Sequence, residues 1–120
     1  MLMDEAIVLL KASGLKYTAA QFEVPFSDSS KTQKGDLLIQ FEPCSEKQVK
    51  AMTGAISAQG WKKGSISHAV NVRKGPLYLQ WGAGYQGCIF EMTTMNVSQH
   101  LRITDDITNV PELAAFKATG

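Results

Sequence analysis

The chain has 120 residues, 44% of them hydrophobic and 19% charged, which fits one folded domain with a core of its own and excludes a chain that is disordered throughout. Net charge is only +1, and the most basic third, residues 61 to 93, contributes just Lys62, Lys63, Arg73 and Lys74, too few and too scattered for a nucleic-acid surface. The apolar run Ala6 to Leu10 is far short of the ~20 residues that cross a bilayer, so no membrane span and a soluble chain are expected, either cytoplasmic or, with a leader removed, periplasmic or secreted.

Asp4, Glu5, Ala6, Ile7, Leu9 and Leu10 combine an N-cap residue type with helical apolar spacing, and Gly14 offers a left-handed stop, so a helix is expected from about 4 to 13. From Tyr17 the period changes to two. Phe22, Val24 and Phe26 alternate with Gln21, Glu23 and Pro25 as in a half-buried strand, and the proline suits an edge. The polar stretch SDSSKTQKG, residues 27 to 35, then links it to a second strand with Leu37, Ile39 and Phe41 on one face. Ser45 with Gln48 three residues on forms a capping box. It opens a helix, 46 to 59, whose stripe comprises Val49, Met52, Ile56 and the alanines at 51, 55 and 58. Lys47 and Lys50 take its wet side, and Gly60 ends it ahead of Trp61.

The remainder reads as a meander: Ala69 to Arg73, the turn KGP, Leu77 to Trp81, the turn GAGYQG, then Cys88 to Thr94. Period two puts Leu77, Leu79 and Trp81 on one face, and makes Cys88, with Phe90 and Met92, an inward core position. Thr104 with Asp105 and Asp106, and Asn109 with Pro111, Glu112, Leu113 and Phe116, carry helix-start signals. The expected fold is thus one α+β domain, residues 1 to 120. Its antiparallel sheet of about five strands, a hairpin followed by a three-strand meander, is packed by an N-terminal helix and the central helix, with short C-terminal helical turns.

No catalytic constellation, metal-ligand spacing or cofactor motif is evident. Cys44 and Cys88 belong to no CxxC pair. They are candidates for one disulfide, for two inert buried thiols, or, for Cys44 at a helix N-terminus, for a reactive thiolate with His68 or His100 as base. Adjacent Asp105 and Asp106 read as helix caps rather than as an acid and a base. The glycines at 82, 84 and 87 lack the Lys-Ser/Thr of a phosphate loop.

The leading expectation is a non-enzymatic module that occupies a protein partner, a toxin or an enzyme, by steric occlusion. Its loops 27 to 35 and 82 to 87 would present Asp28, Asp36, Tyr85 and Gln86 to that partner, and a homodimer is a further possibility. An adaptor or carrier with an apolar site lined by Phe22, Ile39, Leu79 and Trp81, and a small cysteine-dependent enzyme, are the alternatives. In size and element order, with the helix KAMTGAISAQGW ahead of a strand meander, the chain resembles compact α+β bacterial immunity proteins and small periplasmic lipoproteins. That resemblance implies an architecture and assigns no functional residue.

Overall fold

The computed structural model describes residues 2–25, 35–42, 45–63, 70–75, 77–84, 87–94 and 102–118. Seven strands form one sheet: β1 (Ala19–Pro25), β2 (Asp36–Phe41), β3 (Lys62–Lys63), β4 (Val70–Lys74), β5 (Leu77–Gly84), β6 (Gly87–Thr94) and β7 (Arg102–Asp106). Their order is β3-β4-β5-β6-β2-β1-β7, and every pairing is antiparallel. The expected hairpin and meander are both present. They join side by side through β2 and β6, a pairing of distant segments that no local pattern specifies.

The sheet has more strands than expected because two segments add to its edges. The two-residue β3 lengthens one edge, and β7 pairs with β1 at the other. Thr104 with Asp105 and Asp106 were expected to begin a helical turn, yet in β7 Thr104 lies opposite Glu23 and Asp105 opposite Phe22. The edge of β1 offers a row of backbone donors and acceptors, and satisfying it outweighs the weak local preference of Thr-Asp-Asp for a helix start. Asp106 therefore caps no helix; its Oδ1 accepts from the Thr108 backbone N–H at 2.9 Å, closing the turn that leaves the sheet. The helical turn expected after Pro111 is present as a 3-10 helix, Pro111–Phe116, with Leu113 buried.

Helix α1 spans Leu2–Ser13, so Asp4 stands in its first turn rather than at its cap, because Leu2 and Met3 are themselves buried and extend the apolar stripe. Gly14 follows at φ 70°, the left-handed stop expected there, with its N–H on Leu10 O. Helix α2 spans Glu46–Ala58 behind a complete capping box: the Ser45 hydroxyl accepts from Gln48 N, and the Gln48 side chain accepts from Ser45 N. Met52, Ala55 and Ile56 face the core, whereas Ala58, expected on the same stripe, is exposed in the last turn.

Both helices lie on one side of the sheet, packed on each other, with α1 against β6 and α2 against β5. The inward residues of four neighbouring strands meet them there: Phe22, then Leu37, Ile39 and Phe41, then Cys88, Phe90 and Met92, then Leu77, Leu79 and Trp81. Trp81 fixes the interface, because its ring meets Phe41 edge-on at 5.7 Å and its Nε1 donates to Val49 O, in the first turn of α2, at 3.3 Å. Strand β5 runs three residues beyond its expected end at Trp81, and Gly84 pairs with Gly87, so only residues 85 and 86 separate β5 from β6.

Candidate functional site

A strand has two faces, and only one of these is used for the core. The other face carries no described helix and reads as two registered rows across the strands. One row runs Lys62, Arg73, Tyr78, Thr93, Asp36, Glu23, Thr104 from edge to edge. The next runs Gln80, Glu91, Leu38, Gln21, Asp106, and a third places Ile89 between Gly82 and Gln40. Leu38, Tyr78 and Ile89 are half-buried near the middle, while Gln21, Arg73, Gln80, Thr104 and Asp106 are exposed.

Charge is sorted along the first row, with Lys62 and Arg73 on β3 and β4 and Asp36 and Glu23 on β2 and β1. Several of its members are held in place by neighbours. The Arg73 guanidinium carbon stands 5.3 Å from the Tyr78 ring centroid, the Thr93 hydroxyl donates to Gly35 O at 3.1 Å, and the Thr104 hydroxyl reaches Glu23 Oε2 at 3.5 Å. At the rim, hydrogen bonds from the Thr108 hydroxyl and backbone hold the Asp106 carboxyl below the usual carboxylate range.

Of the residues singled out in the sequence, Asp36 lies on this open face at the start of β2, opposite both Glu23 and Thr93. Cys88 lies on the opposite side of the neighbouring strand and is fully buried, the inward position expected of it. Asp28, Cys44, Tyr85, Gln86, His68 and His100 lie outside the described residues. Phe22, Ile39, Leu79 and Trp81, the expected lining of a carrier site, are all at most 1% exposed beneath the helices. Among the described residues, no group of three or more His, Cys, Asp or Glu side chains is arranged to hold a metal ion, and no helix is long and apolar enough to cross a membrane.

Glu23, Arg73, Tyr78, Ile89 and Glu91 were not singled out as site residues. Their alternation with core residues was visible in each strand, but their assembly into rows depends on the pairing of β6 with β2. Compared with protein families, with curated proteins and with solved structures, the chain has no match.

Proposed function

We propose that the chain is a non-enzymatic protein-binding module that docks its partner on the open face of the sheet and acts by steric occlusion, in the manner of a dedicated inhibitor or immunity protein. The observation that carries this reading is the one-sided coverage of the sheet. A broad surface with Leu38, Tyr78 and Ile89 near its middle, beside Glu91 on β6, and charged Lys62, Arg73, Glu23 and Asp106 toward its ends combines an apolar patch with a polar rim, as interfaces do. A face held by backbone pairing on both sides of β6 is also rigid, which limits the entropy lost on docking.

The test places a photo-crosslinking residue at Tyr78 or Ile89, and as a control at Lys47 or Ser57 on the exposed side of α2, in the native host. Adducts with one protein from the sheet positions and none from the helix positions are expected, and Ile89→Arg removes them. Adducts from the helix positions alone would overturn the assignment of the face.

The same reading includes a disulfide between Cys44 and Cys88. Cys88 pairs across the ladder with Phe41, three residues before Cys44, and among the described residues no cysteine is free. Such a bond ties the start of α2 to the central strand of the sheet and stiffens the scaffold behind the face.

A further inference from the structure

Along the first row of the open face, the cations Lys62 and Arg73 lie on one side of the middle strand and the carboxylates Asp36 and Glu23 on the other. Of the seven strands, β6 is the fourth, with β5 and β2 beside it, β4 and β1 next, and β3 and β7 outermost. A two-fold axis lying between two such faces and parallel to β6 reverses the strand order while keeping position along the strands. Each row then faces the same row of the other copy, read backwards.

From this register we propose that the occupant of the open face is a second copy of this chain, packed face to face about a two-fold axis along β6; the proposal rests on the reading of that face as a docking surface. Arg73 on β4 then faces Glu23 on β1 of the second copy, and Tyr78 on β5 faces Asp36 on β2, each contact occurring twice. Ile89 meets its own counterpart at the axis, and Leu38 covers the aliphatic part of Gln80. Cation meets carboxylate and phenol hydroxyl meets carboxylate, so the face is complementary to itself.

The geometry is within reach. Arg73 and Glu23 each lie two strands from the axis, about 10 Å. Two sheets packed at about 30° displace facing residues there by about 5 Å, which an arginine side chain spans. One contact opposes the pairing, since Glu91 on β6 faces Glu91 of the second copy. Like charges at the axis set an upper limit on affinity, which keeps the face exchangeable for another partner.

Sedimentation equilibrium of the purified chain over a concentration series, with circular dichroism to verify that each variant folds, tests the arrangement. A reversible dimer is expected. Arg73→Glu and Glu23→Arg should each weaken it at least about tenfold, and the two together should restore it to within about threefold, because reversing both partners re-forms the pair. Glu91→Gln should strengthen it about tenfold by removing the facing charges. A chain that stays monomeric at roughly millimolar concentration, single charge reversals that leave association unchanged, or a double variant no better than the singles would each overturn the dimer. If the dimer falls while Ile89→Arg still abolishes crosslinks from Tyr78 to another protein, the docking face stands and only its occupant is wrong.

Discussion

The Tyr17 hydroxyl donates to the carbonyl oxygen of Thr108 at 2.5 Å, joining residues 91 positions apart. The same tyrosine uses its backbone on the C-terminal segment, with its N–H on Phe116 O at 2.9 Å and its carbonyl accepting from Ala118 N at 2.8 Å. One fully buried residue thus fastens Thr108, Phe116 and Ala118 to the chain just before β1. The 3-10 helix and the segment leaving the sheet edge are therefore anchored on the same residue.

This clasp has an alkaline signature. Burial raises the Tyr17 phenol above its usual value of 10.0, so the folded chain holds that proton more firmly than the unfolded chain does. The stability linked to it is complete below pH 10 and is lost as pH rises through the folded-state value. Urea unfolding at stepped pH should show the loss, and Tyr17→Phe should lower stability by about 1 kcal/mol at neutral pH while flattening the alkaline decline.

Gly35 is expected to tolerate no side chain. Its φ is 136°, and a Cβ there would overlap the carbonyl oxygen of Glu23 and approach the buried Phe22 ring at 3.0 Å. Neither neighbour is free to move, since one is ladder backbone and the other is a core ring. Gly35→Ala should cost about 3 kcal/mol by chemical denaturation. Gly54→Ala, in the exposed middle of α2 with open space at its Cβ, should instead gain about 0.5 to 1 kcal/mol.

Trp81→Phe should lose about 2 kcal/mol, read from the same denaturation curves. The smaller ring cannot donate to Val49 O and leaves a gap beside Phe41, where α2 meets the sheet. Ser45→Ala removes the hydroxyl that accepts from Gln48 N and should cost about 1 kcal/mol, with the loss localised to the first turn of α2 in hydrogen exchange. By contrast, the Lys74–Glu5 pair at 3.1 Å is partly exposed and screened. Lys74→Met should change stability by no more than about 0.5 kcal/mol.

The proposed bond between Cys44 and Cys88 makes a redox prediction. Thiol titration of the unfolded, unreduced chain should find no free thiol. Reduction should then cost roughly 3 to 4 kcal/mol in the chain-entropy estimate for a loop of this length. Two titratable thiols would sink the bond.

The positions of the core residues were legible because they depend on local repeats. Period two in Leu37, Ile39, Phe41 and in Cys88, Phe90, Met92 allows only one face to be buried, and the Ser45–Gln48 box with Gly60 bounds α2 on its own. Residues 102–106 misled because a Thr-Asp-Asp sequence favours a helix start by tenths of a kcal/mol to about 1 kcal/mol, less than the free backbone groups along β1 gain from a new strand. Of the candidate site, Asp36 was identified, but not the row it belongs to. By itself, then, the sequence determined which side chains of the central strands turn inward, where α2 begins and ends and where α1 stops, since those preferences act within a few residues. The pairing of β2 with β6, the capture of β7 by β1 and the sorting of Arg73 and Glu23 to opposite ends of one face were decided only by tertiary structure, because hydrogen bonds between distant strands carry no signature in the residues that make them.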